Sequence, residues 1–337
     1  MSEPVRIGLI GAGAIVQVAH LPVLKKLKTV EIAAICDVDL PKARALAERF
    51  QINSVFDDIE DLLGHSQIDA ILVATPNHLH EPHVLAGLSA GCHVLVEKPG
   101  SLSPGGEQRI GKLAEKKNRT VMIGMTHRYR PDAQAVRSFV QNGELGELDS
   151  IRASWHVSRP ARAQLGWRTR RDEAGGGAVL DLGLTMVDLC LWLAGNPTPA
   201  RVSANLSKSK GDARGVELSG SAFVVCKEGL AIFVDVTWRH IGERERFGVG
   251  LRGTKGTAGI NPLHVWKELN GVPQDVSPTG SLSRESAFTA SFRAEWAHFL
   301  AAVAGEAQVP PLSEHVTLLK VIDAIYKSAA EGKDVSL

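Results

Sequence analysis

The chain has 337 residues, 44% of them hydrophobic, and its 38 basic against 37 acidic side chains leave a formal charge of +1. That length exceeds an ordinary single domain and favours two, each able to bury a core. A charge so close to zero supplies no global field for nucleic acid or an anionic membrane, so a small-molecule ligand is the default partner.

The first residues, Met1 to Arg6, lack a basic segment followed by an apolar one, and no later run approaches about 18 consecutive apolar residues. A soluble, cytoplasmic protein without a membrane span is therefore expected. The chain then alternates short apolar strands with helical segments: strand 6–10, helix 15–28, strand 31–36, helix 41–50, strand 70–74, helix 81–90, strand 93–97, helix 104–117 and strand 121–124. Such alternation calls for a parallel, doubly wound sheet.

After about residue 127 the rhythm changes. Strands at 151–157, 201–206, 221–226, 230–238 and 247–251 follow one another through Gly-containing turns, which indicates a mostly antiparallel sheet. Helices are expected at 178–193, 292–303 and 313–330, the last with Leu318, Val321, Ile322 and Ile325 on one buried face. The segment 270–286, rich in Gly, Pro and Ser, reads as a mobile loop. The fold class is α/β: an N-terminal Rossmann domain over 1–126 and a C-terminal α/β domain with an open, mostly antiparallel sheet over 127–337, serving substrate binding and oligomerisation. Cys36, Cys92, Cys190 and Cys226 lie far apart without metal-ligand spacing, so they read as reduced core residues and no metal is expected.

Gly11 and Gly13 follow the first strand and open a helix, the context that a dinucleotide fingerprint requires. Gly11 permits the tight turn, Gly13 lets backbone approach a diphosphate at the helix N-terminus, and Ala12, Ala14 and Ile15 complete the cradle. The third fingerprint position is Val16, whose branched side chain should hold helix and strand slightly apart. Asp37 ends the second strand 24 residues beyond Gly13 (37 minus 13), where a carboxylate accepts both ribose hydroxyls of an adenosine. The alternative is an Asp that only caps the helix beginning at Pro41. An ionised Asp37 repels a 2′-phosphate, so NAD is favoured over NADP, unless Lys42 or Arg44 reaches that phosphate.

Val94-Leu95-Val96 runs directly into Glu97-Lys98-Pro99. A strand of a doubly wound sheet that ends in a lone Lys delivers an ammonium to the carboxyl edge, where ligands of such sheets bind. Oxidising a carbinol releases a hydroxyl proton as hydride departs, and a nearby ammonium stabilises the developing alkoxide. The plain alternative is an ion pair with Glu97. The Lys98–Pro99 bond is also a candidate for the cis form.

These pieces resemble the Gfo/Idh/MocA family of oxidoreductases, which pair a Rossmann domain with a C-terminal domain built on an open antiparallel sheet. The resemblance rests on Gly11-Ala12-Gly13, Asp37, Ala74-Thr75-Pro76-Asn77-His78-Leu79-His80, Glu97-Lys98-Pro99, Gly124-Met125-Thr126-His127-Arg128-Tyr129-Arg130-Pro131, Gly175 to Gly183 and Asp188, and it spans essentially the whole chain. It implies that Thr75, Pro76, Asn77 and His80 line the ribose and nicotinamide half of the cofactor. It further implies that Glu97 holds the nicotinamide ribose, that Lys98 contacts both cofactor and substrate hydroxyl, and that Arg128 belongs to the cofactor-binding set.

On the helix opened by the glycine run, Asp181, Thr185 and Asp188 are spaced i, i+4 and i+7, which places them on one face. The family usually carries an aspartate at the position of Asp181 and a histidine, or in some branches a tyrosine, at that of Thr185. A threonine hydroxyl orients an oxygen but does not accept a proton as histidine does. Three readings stay open: Lys98 carries the proton itself; one of His127, His156 or His240 has taken over, with His127 the foremost; or the chain binds NAD and a ligand without turnover. Asp188 reads as structural.

Arg159, Arg162, Arg168, Arg170 and Arg171, accompanied by Trp155 and Trp167, are able to clamp a carboxylate or phosphate while an indole covers a sugar face; a solvated loop or subunit contact is the alternative. The leading expectation is an NAD-dependent oxidoreductase acting on a secondary hydroxyl or ketone of a sugar, cyclitol or sugar acid, assembled as a homodimer or homotetramer. The alternatives are an idle NAD- and ligand-binding regulator, and a redox-neutral NAD-dependent sugar-processing enzyme.

Overall fold

A computed structural model describes residues 3–64, 67–158, 166–207, 215–278 and 285–337. In chain order it has β1 (Val5–Ile10), a π-helical turn (Val16–His20) running into α1 (Leu21–Leu24), β2 (Val30–Cys36), α2 (Leu40–Phe50), β3 (Ser54–Phe56), α3 (Ile59–Gly64), β4 (Ala70–Val73), α4 (His80–Ser89), β5 (His93–Glu97), α5 (Pro104–Lys117) and β6 (Val121–Gly124). Then come α6 (Pro131–Gln141), β7 (Leu148–His156), α7 (Arg171–Ala174), a second π-helical turn (Val179–Gly183) running into α8 (Leu184–Leu193), and strands β8 (Pro199–Ser207), β9 (Ser219–Cys226), β10 (Ala231–Thr237), β11 (Arg246–Gly253), β12 (Gly256–Ile260), β13 (His264–Leu269) and β14 (Val272–Asp275). Helices α9 (Ala287–Val303) and α10 (Leu312–Glu331) and the short β15 (Val335–Ser336) close the chain.

The chain divides into two compact units, one of residues 1–126 with Ser286–Val316 and one of His127–Glu285 with Thr317–Leu337. The first unit holds a parallel sheet of order β3-β2-β1-β4-β5-β6. Its order reverses between β1 and β4, the place where doubly wound sheets bind ligands. Ala70, Ile71, Leu72 and Val73 are all fully buried, as expected of a strand covered on both faces. Ser103 caps α5 by accepting from the Gly106 amide at 3.1 Å, with Pro104 as the first helical residue, and Asn118 ends the helix at a φ of +51°.

Helix α9 belongs to this first unit. Phe292, Trp296 and Phe299 recur at helical spacing and enter the core formed by Ile7, Leu9, Val16, Ala19 and Leu24. Residues 286–316 group with the Rossmann unit because that is where the apolar face of α9 is buried.

The second unit holds a nine-stranded sheet of order β14-β13-β12-β11-β7-β10-β9-β8-β15, antiparallel except where β7 and β10 run side by side. Every residue of α8 is buried. The stretch Arg171–Leu193 has the length and apolarity of a membrane span, with an 18-residue window of mean hydropathy 1.5, but 94% of that window is buried inside the protein. The expected mobile loop over 270–286 is corrected in part: Val272–Asp275 is a strand paired with β13, and residues 279–284 lie outside the described ones.

Candidate active site

In the first unit β1 feeds into Gly11, whose φ is +103°; a Cβ there would lie 2.6 Å from the Ala74 carbonyl oxygen, so only glycine fits. Beside Gly13 a Cβ would meet nothing closer than that same oxygen at 3.9 Å, which leaves its backbone approachable by a diphosphate. Asp37 Oδ2 accepts from the Ala12 amide at 2.6 Å and Oδ1 from the Asp39 amide at 2.9 Å. Capping of α2 falls to Asp39, which accepts from the Lys42 amide at 3.1 Å, and this leaves Asp37 tied to the glycine turn. The cradle therefore has the backbone space and the terminal carboxylate that a nicotinamide adenine dinucleotide requires.

Past β4, Thr75 Oγ1 lies 3.2 Å from His83 Nδ1, and Pro76 leads into a short turn over Asn77–Leu79. His80 is 1% exposed; its Nδ1 lies 2.6 Å from the Pro99 carbonyl and its Nε2 2.8 Å from the Thr75 carbonyl. The imidazole thus cross-links the ends of β4 and β5 from behind. Burial holds the His80 ring below its usual protonation range, against the pull of those two carbonyls. Lys98 follows β5, and the Lys98–Pro99 bond is cis, as the sequence allows. The Glu97 side chain is 14% exposed, and its Oε1 lies 2.9 Å from His20 Nε2. Burial pushes the Glu97 carboxyl upward, but the His20 bond and the neighbouring Lys98 charge outweigh it, so the group stays below the usual range and ionised.

Glu295 on α9 takes the opposite state. Its carboxyl is raised well above the usual range by burial and by the Glu97 charge, although Thr126 Oγ1 donates to it at 3.0 Å. Of these two neighbouring carboxyls, the negative charge is thus favoured on Glu97 and disfavoured on Glu295. Nothing local in the sequence marks Glu295, which reaches this spot through the packing of α9.

In the second unit the glycine run exists for close approach. A Cβ on Gly177 would lie 2.0 Å from the Glu217 carbonyl oxygen, and one on Gly176 2.0 Å from Tyr326 Oη. The fully buried Glu217 accepts through Oε1 from the Gly177 amide at 2.8 Å, the Val179 amide at 2.9 Å and Tyr326 Oη at 2.9 Å. This anchors the turn that bears Asp181, whose Oδ2 accepts from Trp238 Nε1 at 3.1 Å.

The π-helical turn over Val179–Gly183 inserts an extra residue before α8, so the regular helical phase does not extend back to Asp181. Thr185 and Asp188 are each 3% exposed, while Asp181 stays partly open. Asp188 receives a two-pronged bond from Arg128, Nε to Oδ2 at 2.9 Å and an amino nitrogen to Oδ1 at 2.5 Å. The guanidinium assigned to the cofactor from the sequence is buried and committed to this fork.

The three histidines separate by sheet face. Ile151, Ala153 and Trp155 share the face of β7 that carries α8, and the His127 ring lies 4.9 Å from that of Trp155 and 5.2 Å from that of Phe247. His156 points to the other face, where its Nε2 lies 2.6 Å from Asp235 Oδ2 and its ring 5.7 Å from that of His240. Of the arginine cluster, Arg159 and Arg162 lie outside the described residues; Arg168 stacks on Trp167 at 4.6 Å and Arg170 pairs with Glu173 at 2.5 Å. The four cysteines are buried free thiols, and burial lifts Cys36, Cys92 and Cys226 to about 11. Among the described residues no three His, Cys, Asp or Glu side chains are grouped to hold a metal ion.

Residues 5–125 match an oxidoreductase family with an NAD-binding Rossmann fold, and residues 133–259 match the GFO/IDH/MocA C-terminal domain. The chain is 28% identical to the D-glucoside 3-dehydrogenase of Escherichia coli K12 over an alignment of 355 positions that covers 100% of this chain and 98% of the relative. It is 30% identical to the 1,5-anhydro-D-fructose reductase of Ensifer adhaerens, over 75% of this chain and 74% of that one. Among solved structures, GenD2 from gentamicin A biosynthesis, in complex with NAD, superposes with a TM-score of 0.86 at 26% identity, covering 100% of this chain and 97% of its own.

Proposed function

Since the chain belongs to the Gfo/Idh/MocA oxidoreductases, we propose that it transfers hydride between NAD and a secondary hydroxyl or ketone of a sugar, cyclitol or sugar acid. The observation that carries this reading is the end of β5, where an ionised Glu97 and the Lys98 ammonium stand side by side at the carboxyl edge of the Rossmann sheet. Bound NAD supplies the hydride acceptor. Gly11, Ala12, Gly13, Ala14 and Ile15 form the diphosphate cradle, Asp37 the adenosine-ribose acceptor, and Thr75, Pro76 and Asn77 the wall past β4, with His80 bracing it. Glu97 holds the nicotinamide ribose, and Lys98 stabilises negative charge on the reacting oxygen.

On the second unit, Asp181 anchors a substrate hydroxyl. With Thr185 buried, His127 takes the proton in this reading, which its position beside Trp155 on the α8 side of the sheet supports. The relatives named for sugar oxidoreduction support the substrate class. The four buried free thiols suit a reducing cytoplasm, and the uncovered sheet face bearing Arg152, Phe223 and Phe233 suits pairing into a dimer or tetramer.

The test is single-turnover mixing of NADH-loaded protein with a panel of keto-sugars and keto-cyclitols. Loss of reduced-nicotinamide absorbance with formation of the alcohol supports the reading. Saturable binding of a panel member without any absorbance change overturns it in favour of a ligand-binding regulator.

A further inference from the structure

Behind Glu97 lies a buried chain of polar groups that runs across the first unit. Trp296 Nε1 on α9 donates to His20 Nδ1 at 3.0 Å, and His20 Nε2 lies 2.9 Å from Glu97 Oε1. Trp296 is fully buried and His20 is 1% exposed. An indole nitrogen only donates. His20 Nδ1 must therefore present its lone pair, and the one ring proton of the neutral imidazole must sit on Nε2, facing the carboxylate. A second proton on the ring would set two N–H groups against each other at 3.0 Å.

We propose that His20 and Trp296 are positioning residues: Trp296 fixes the tautomer of His20, and His20 uses its single N–H to hold Glu97 in the orientation that receives the nicotinamide ribose. The aromatic packing serves the same end, since the His20 ring meets Phe292 edge-on at 5.0 Å and Trp296 at 5.9 Å and is thereby confined to one plane. The inference rests on the reading of Glu97 as a cofactor-holding group. It adds that α9, which joins the Rossmann unit from far along the chain, sets the geometry of that group. The titratable groups facing this chain are Glu97 on β5, Lys98 and His80 beside that carboxylate, and Glu295 on α9, which stays protonated.

Trp296→Phe keeps a ring against Phe299 and deletes only the indole donor. His20 Nδ1 then loses the donor that keeps the single ring proton on Nε2. NADH titrations on wild type, Trp296→Phe and Glu97→Gln separate the possibilities. The expected result is a Trp296→Phe affinity weakened about five- to tenfold relative to wild type, as for one lost hydrogen bond. Unchanged NADH affinity in Glu97→Gln sinks the reading of Glu97 itself. Weakened binding in Glu97→Gln, with wild-type affinity in Trp296→Phe, sinks the positioning proposal alone. Nitrogen NMR of the wild-type histidines checks the tautomer without any variant: an unprotonated Nδ1 on His20 is expected, and a protonated Nδ1 overturns the proposal.

Discussion

The Lys42 ammonium lies 2.9 Å from Asp37 Oδ1, so the carboxylate proposed to face the adenosine ribose carries a counter-ion of its own. The pair is a lever on cofactor choice. Asp37 disfavours a 2′-phosphate by charge, and Lys42, with its side chain 36% exposed, partly cancels that effect. NAD(H) should bind at least about tenfold more tightly than NADP(H). Asp37→Ser should narrow or reverse the gap, and Lys42→Ala should widen it. Calorimetric titration of both cofactors decides the matter; equal wild-type affinities would show that Lys42 neutralises Asp37 completely.

Lys98→Met removes the charge while keeping the bulk of the side chain. Turnover of a proven substrate should fall by about two to four orders of magnitude, with NADH affinity changed far less. A variant working within a few-fold of wild type would leave Lys98 without a chemical role.

The sheet faces discriminate the histidines. His127→Phe preserves a ring against Trp155 and Phe247 and should cost at least about tenfold in kcat. His156→Ala, on the opposite face beside Asp235, should leave kcat within a few-fold. Stopped-flow rates at saturating substrate make the comparison, and the reverse ranking would move the proton acceptor to the other histidine.

Glu217→Ala strips the partner from two amides and a tyrosine hydroxyl, and should destabilise by about 2–5 kcal/mol. Tyr326→Phe should cost about 1 kcal/mol. Gly176→Ala places a methyl against Tyr326 Oη and should lose more than Tyr326→Phe does; combining the two should recover part of the loss, because the atom in the way is gone. Urea unfolding of the four variants tests this, and strict additivity would rule out the contact.

Glu107 on α5 is fully buried, with Ser101 beside its carboxyl and His315 Nε2 3.5 Å away. Burial pushes its carboxyl up to about 8, with the Glu81 charge adding to the rise. The folded state thus holds a proton that the unfolded chain releases near the usual carboxylate range. Stability attributable to this group is intact below that range and falls as pH rises towards about 8, by up to about 1.4 kcal/mol per pH unit. Glu107→Gln mimics the protonated form, so it should flatten the decline between pH 5 and 8 and be the more stable variant at the alkaline end. Parallel unfolding midpoints for both proteins would expose Glu107 as ionised throughout.

The parallel strands were readable because a strand covered on both faces is an uninterrupted apolar run: β5 and β6 fall where the sequence places them, and Asp37 and Glu97 are marked by ending such runs. The short β3 and the strands β12 to β15 at the two ends of the second sheet carry too few apolar residues to stand out, and α6 escapes notice behind Pro131. The allegiance of α9 is invisible because chain continuity says nothing about which core receives Trp296. Glu217 and Tyr326 are silent for the same reason. Their partners lie 40 and 109 residues away, and no local pattern encodes a bond over that distance.

The π-helical turn over Val179–Gly183 gives this site a sensitivity to chain length that residue identity does not capture. Loss of a single codon there would close the turn into the regular helical repeat and re-seat Asp181 relative to α8, with every other residue of the site retained. Substitution scanning keeps length constant and never samples that change. Two genes that agree at each position lining this site can therefore encode different chemistry if they differ by one codon in the turn.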